Sequence, residues 1–140
     1  MKIIKRISLI LAVALAVVCM GALASACNSA TDFTITVYYS DGTTLVDGST
    51  EKYGIQICYL DTDTNELVSC STAEGLVGAD GKATINIDAV EAEAPQSGNI
   101  KYEVHVLSVD GTEELKENVY VSRSNASVKV VLKNVNAPAK

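Results

Sequence analysis

From Phe33 onward, apolar and polar residues take turns, and that alternation restricts the fold more than any other feature of the 140-residue chain. In Phe33-Thr34-Ile35-Thr36-Val37-Tyr38-Tyr39, the residues Phe33, Ile35, Val37 and Tyr39 share one face, and Thr34 and Thr36 share the other. A period of two built from β-branched and aromatic side chains marks a strand with one buried face. The pattern returns at residues 53–60, 67–71, 82–87, 100–108, 119–122 and 127–133, which makes seven main strands, and 43–46 adds a short edge piece. Asp-Gly occurs four times, at Asp41-Gly42, Asp47-Gly48, Asp80-Gly81 and Asp110-Gly111. This dipeptide supplies the positive backbone torsions of tight turns. Both prolines, Pro95 and Pro138, fall outside the strands. The expectation is an all-β domain over residues 33–133, a seven-stranded antiparallel sandwich. Residues 88–99 form the one long connection. Its Ala89 to Ala94 portion favours a helical turn or two ended by Pro95, or else an extended crossover between sheets. Residues 134–140 read as a flexible tail.

The chain before Phe33 has a different character. Residues 1–6 carry Lys2, Lys5 and Arg6 and no acid, and residues 7–24 are apolar except for Ser8, Cys19 and Gly21. A basic start, an apolar run and a cluster of small residues describe a secretory signal, here a signal helix over residues 1–26. The apolar run is long enough to span a bilayer, so a retained membrane helix is the alternative. The small residues Ala22 to Ala26 favour cleavage. The cluster ends in Cys27, and Leu23-Ala24-Ser25-Ala26-Cys27 resembles the lipobox of bacterial lipoproteins. That resemblance implies that Cys27 receives a diacylglyceryl thioether and becomes the mature N-terminus. Two acyl chains anchor stably where one is marginal. The usual motif places Leu three residues before the Cys, where this chain has Ala24. Ala24-Ser25-Ala26 also fits ordinary signal cleavage, so a freely secreted domain is the alternative. Residues 27–32 are then a short linker, and the domain sits close to the membrane.

The full chain has 11 basic and 17 acidic residues, a net charge of −6. Removal of Lys2, Lys5 and Arg6 leaves 8 against 17, a net of −9. Nucleic acid is an unsuitable partner for such a chain, because phosphate neutralisation needs clustered cations. Of four cysteines, Cys19 lies in the signal and Cys27 at its end. Cys58 and Cys70 remain as an even pair in an exported domain, which reads as a disulfide. They are symmetric about Thr64, so a hairpin centred there sets them face to face. Cys58 shares its strand face with Gln56 and Leu60, opposite Tyr53, Ile55, Ile57 and Tyr59. The bridge is therefore expected on the outer face of the sheet.

Val77-Gly78-Ala79-Asp80-Gly81-Lys82-Ala83-Thr84-Ile85-Asn86-Ile87 resembles the turn, Asp-Gly-Lys-Ala-Thr and strand signature of prealbumin-like (transthyretin-like) sandwiches. These include the B-repeats of Gram-positive collagen adhesins. Tyr102-Glu103-Val104-His105-Val106 is similar to their following Tyr-x-Val-x-Val strand. The resemblance covers roughly residues 33–132. It implies a prealbumin-like or immunoglobulin-like sandwich serving as stalk, spacer or binding module at a cell surface. Many adhesin repeats carry an internal Lys–Asn isopeptide whose lysine lies in the first strand. Residues 33–39 contain no lysine, so the bond does not carry over.

Candidate chemistry is sparse. Asp61, Asp63 and Asn65 imitate the start of a calcium loop, but Glu66 and Thr72 stand where the full pattern needs Gly and an acid. An exposed acidic hairpin tip is expected there, with a loop-type calcium site as the alternative. His105 is the sole histidine, on a polar strand face beside Lys101 and Glu103. No Gly-x-Ser-x-Gly element accompanies it, and a zinc site needs more ligands. Glu91/Glu93 and Glu113/Glu114 read as solvated charge. Tyr38 falls on the polar side of its strand and is the best candidate for a sugar- or protein-binding patch. Tyr39, Tyr53, Tyr59 and Tyr120 suit packing. No cofactor is expected. The reading is a cell-surface lipoprotein whose non-enzymatic β-domain serves adhesion, spacing or protein interaction. Its partners are the membrane, through the lipid, and an unidentified protein or glycan. A carbohydrate- or solute-binding lipoprotein is the second reading, and a small secreted enzyme or inhibitor the third.

Overall fold

The computed structural model describes residues 30–140, so the signal peptide expected over residues 1–26 and the expected lipidation site Cys27 lie outside the described residues. Eight strands and one short helix follow: β1 (Asp32–Tyr38), β2 (Tyr53–Asp61), β3 (Leu67–Leu76), β4 (Lys82–Asn86), α1 (Ile87–Glu93), β5 (Ile100–Ser108), β6 (Gly111–Glu113), β7 (Tyr120–Val121) and β8 (Ser127–Val131). One sheet has the order β4-β1-β8. The other runs β3-β2-β5-β6, with β7 also on β5.

The alternation in sequence becomes the interior of the sandwich. Phe33, Ile35 and Val37 of β1 are each 0% exposed, as are Ile55, Ile57 and Tyr59 of β2. Tyr39, Tyr53, Ala83, Ile85, Val104, Val106, Val130 and Leu132 complete this layer, all buried. Each fully buried apolar side chain of this size stabilises by about 1.5–3 kcal/mol. Tyr102 meets Phe33 and Tyr59 edge-on, with ring centroids 6.3 and 5.6 Å apart. The buried Tyr59 hydroxyl donates to the carbonyl of Val90 at 2.5 Å, which ties α1 to the core. Asn86 caps that helix by accepting from the Ala89 amide at 2.9 Å. Pro95 follows one residue after its last cap. The helical turn expected before Pro95 is thus present, but it begins at Ile87, which the alternation had assigned to a strand.

Three further expectations need correction. First, there are eight strands, not seven. The chain from Gly111 to Val121 divides between the two sheets. Gly111–Glu113 pairs with β5 through an Asp110-Gly111 hairpin. Lys116 then donates to the Val131 carbonyl, and Lys133 donates to that of Glu114, both on the β8 edge. Tyr120–Val121 returns to β5. β6 and β7 are two ends of one interrupted edge. Second, β1 pairs with β8 in parallel, with Ile35 opposite Val128 and Val37 opposite Val130. The expectation of a wholly antiparallel sandwich rested on hairpins, but the tight Ser122–Asn125 turn joins β8 to β7 of the other sheet, and no hairpin joins it to β1. Third, β3 extends to Leu76. Its second half lacks clean alternation because Gly75 lies against β4, where a Cβ would come within 2.6 Å of the Thr84 carbonyl oxygen. The edge piece at 43–46 is a single bridge, Tyr38 to Leu45. The tail starts with a tether, since Ser40 donates to the Val135 carbonyl at 2.9 Å.

The Asp-Gly turns divide into two kinds. Gly42, Gly81 and Gly111 have φ of 72°, 77° and 145°. At the first of these turns the Thr44 hydroxyl, then the backbone amides of Thr44 and Thr43, hold the Asp41 carboxyl down to about 2. Gly48 is required for space instead, because a Cβ there would sit 1.8 Å from the Val77 carbonyl oxygen. Gly48→Ala is expected to destabilise the domain by about 1–3 kcal/mol, the usual range for forced overpacking. Gly54→Ala, whose Cβ would be 3.7 Å from its nearest neighbour, is expected to change stability by less than a third as much. Chemical denaturation of the two variants measures the difference.

Candidate functional site

Where β7 ends and α1 passes, the surface opens into a groove of about 520 Å³, lined by Lys101, Tyr102, Tyr120, Arg123, Asn125 and their neighbours. One wall is built by α1. Asp88 and Glu91 are three residues apart and so project from the same helix face. Both reach Arg123, which sits in the turn between β7 and β8. Its Nε donates to the two Glu91 oxygens, each at 3.1 Å, and its Nη2 to Glu91 Oε1 at 2.8 Å and to Asp88 Oδ1. The hydrogen bond to Glu91 first, then that to Asp88, hold the guanidinium above its ordinary value. Single exposed ion pairs contribute little. Here the planar fork is met by two carboxylates, so its orientation is set.

Opposite, the Lys101 ammonium lies 4.6 Å from the ring centroid of Tyr120. Tyr102 forms the floor, and burial, then the Glu91 charge, push its hydroxyl upward. The hydroxyls of Tyr102 and Tyr120 make no hydrogen bond to any described residue. The Asn125 side-chain Nδ2 donates to the Tyr120 carbonyl at 3.4 Å, and its Oδ1 takes no hydrogen bond from any described residue. Two cations, Lys101 and Arg123, balance two acids, Asp88 and Glu91, in a chain that is otherwise strongly acidic.

A second depression of about 350 Å³ forms where the chain leaves β5 between β6 and β7. His105 lies there with its Nε2 2.8 Å from Glu103 Oε1. The lining contains no serine or cysteine.

The residues singled out from sequence are dispersed. Cys58 and Cys70 are direct cross-strand partners joined by a disulfide, with S–S 2.02 Å. The bridge is on the outer face of its sheet, yet Cys58 is only 1% exposed, flanked by Cys70 and Glu103. Tyr38 is half-buried on the outer face of the three-stranded sheet, and the Lys129 ammonium is 4.6 Å from its ring centroid. At the hairpin tip, Asp61 Oδ1 accepts the amides of Asp63 at 2.7 Å and Thr64 at 3.1 Å. Asn65 there has φ 63°. The Asp61 carboxylate is thus engaged by its own turn, and among the described residues no group of three or more His, Cys, Asp or Glu side chains is placed to hold a metal ion.

Glu91 and Glu93, expected as solvated charge, are instead engaged, Glu91 by Arg123 and Glu93 by Ser71 and Thr72. The available signals were the Asp88-x-x-Glu91 spacing and the presence of only one arginine, Arg123, after residue 26. Glu93 reaches a bulge in β3, where residues 71–73 interrupt the register between Cys58–Cys70 and Gln56–Glu74. Its Oε1 accepts from the Ser71 hydroxyl at 2.6 Å and the Thr72 amide at 2.9 Å, and its Oε2 from the Thr72 hydroxyl at 2.7 Å. The Ser71 and then the Thr72 hydrogen bonds lower the Glu93 carboxyl.

A lowered folded value means that this tie is complete above the ordinary glutamate value of about 4.3 and is lost as pH falls through the lowered one. Glu93 is exposed, so screening keeps the effect modest. Glu93→Gln is expected to lower the melting temperature near neutrality, and the gap to the native chain is expected to narrow on acidification. Thermal melts from neutral to acidic pH check the sign. No family model matches the chain, and neither curated proteins nor solved structures supply a match.

Proposed function

We propose that the chain is an exported lipoprotein, held to the outer face of a membrane through Cys27, whose sandwich acts without catalysis in adhesion, spacing or protein interaction. The prealbumin-like or immunoglobulin-like form of that sandwich belongs to the same reading and rests on the 77–87 and 102–106 patterns. The observation that carries it is the Cys58–Cys70 disulfide. Such bridges persist in oxidising compartments. This one accounts for both cysteines of the domain and leaves Cys27 as the single cysteine after residue 26 still to be explained. Acylation explains it. A net charge of −9 after removal of the signal suits solubility at a surface and disfavours nucleic acid. The partners are therefore the membrane, and a protein or glycan met outside the cell.

Ala24-Ser25-Ala26 favours a second reading, in which the domain is cleaved by ordinary signal peptidase and freely secreted. Growth of producing cells with an alkyne-tagged fatty acid separates the two. The chain is expected to carry the label and sediment with membranes, and Cys27→Ser is expected to lose the label. An unlabelled chain recovered from the medium contradicts lipidation.

A further inference from the structure

We propose that the groove between α1 and β7 is the ligand site of this module and that it takes a neutral, hydroxyl-rich glycan, a short oligosaccharide. The inference rests on the reading of the chain as a non-enzymatic binding module and names its ligand class.

The groove carries no net charge. Arg123 is held by Asp88 and Glu91, and Lys101 lies over the Tyr120 ring. An anionic ligand meets two carboxylates beside the two cations, and a cationic ligand finds both acids engaged by Arg123. An apolar ligand fits poorly, because Ser122 and Asn125 line the groove alongside two phenol hydroxyls. Those hydroxyls, the Asn125 carboxamide oxygen and Arg123 Nη1 have no hydrogen-bond partner among the described residues. They are donors and acceptors in close company, which is what a set of sugar hydroxyls requires. The Tyr120 ring, over which the flexible Lys101 side chain now lies, supplies an apolar surface for the C–H face of a sugar once that side chain swings aside, with a polar tip beside it.

The volume, about 520 Å³, lies within the range of roughly 300–1,000 Å³ common to small-ligand sites. Preorganisation adds to the case. Arg123 is fixed by α1, and α1 is fixed by the Tyr59–Val90 hydrogen bond, so the groove needs little ordering when a ligand arrives.

The test uses the full chain, purified in a polyoxyethylene detergent that carries no sugar headgroup. Maltotriose, cellotriose, laminaritriose and triacetylchitotriose are titrated by calorimetry, beside a sulfated oligosaccharide and a random peptide library. At least one neutral trisaccharide is expected to bind with a Kd of ~1 mM or tighter. Tyr120→Ala is expected to weaken it ~tenfold or more, a loss of about 1.4 kcal/mol. Tyr102→Phe, which keeps the ring and removes only the hydroxyl, is expected to weaken it several-fold with an unchanged melting temperature. Tyr38→Ala, outside the groove, is expected to bind as the native chain does.

The proposal is overturned if no neutral trisaccharide binds at millimolar concentration. It is equally overturned if only the sulfated probe or extended peptides bind, the latter on the β5 edge beyond Tyr102. Binding that survives both Tyr102→Phe and Tyr120→Ala also overturns it. Cys27→Ser is expected to bind the sugar normally. Loss of the lipid label and loss of glycan binding are therefore separate failures.

Discussion

Phe33, Ile35, Val37 and Tyr39 from β1 and its end meet Tyr53, Ile55, Ile57 and Tyr59 of β2 across the interior, and none of the eight is more than 7% exposed. Each strand gives every second side chain to this layer, so a slip of one residue in either would turn the whole set outward. That requirement fixes the register of both sheets. Phe33 faces Ile85 in β4, and Val37 faces Val130 in β8. Ile55 and Ile57 face Val106 and Val104 in β5. Tyr102 fills the remaining space by packing edge-on against Phe33 and Tyr59.

With the interior set by these strands, the remaining structural problem is the sheet edges, whose unpaired amides and carbonyls invite association. The domain treats each edge differently. The middle of β3 is bulged, and the bulge amide of Thr72 is taken by Glu93. The neighbouring Ala73 amide is taken by the Ser71 hydroxyl at 3.0 Å. The free side of β5 is covered by a chain that serves it at both ends and crosses to β8 in between. That division leaves two depressions. One is the His105 cleft at the interruption, and the other is the groove beyond β7, where the covering chain has run out. The groove is thus a consequence of how the edge is closed, and α1 supplies the second wall because the Tyr59–Val90 bond holds it there.

Much of this was legible in the sequence for a physical reason. Burial of one strand face imposes a period of two, and that period could be read directly at residues 33–39, 53–60 and 82–86. The disulfide was legible because Cys58 and Cys70 are equidistant from a turn. What the residues did not reveal depends on contacts between distant segments. The parallel β1–β8 pairing has no local signature. The interruption of the 111–121 edge lies in hydrogen bonds to β8 at Lys116 and Lys133, which no pattern within the segment announces. The Glu93 tie joins side chains 21 and 22 residues apart. Glu91 and Glu93 look alike in sequence, yet one orients Arg123 at the groove and the other holds the β3 bulge. Gly48 looked like a turn glycine and is a packing glycine.

The functional account depends on the redox history of the chain. A domain that closes Cys58 to Cys70 while folding outside the cytoplasm gains roughly 3 kcal/mol from a loop of about a dozen residues, on the chain-entropy model. The same domain retained in a reducing cytoplasm would keep both thiols free. The most direct measurement is peptide mapping of the chain recovered from producing cells, alkylated at once and digested without reduction. The account predicts one cross-linked species containing Cys58 and Cys70 and no alkylated form of either. Recovery of both cysteines as separate alkylated peptides would contradict it, and with it the export on which the proposed function stands.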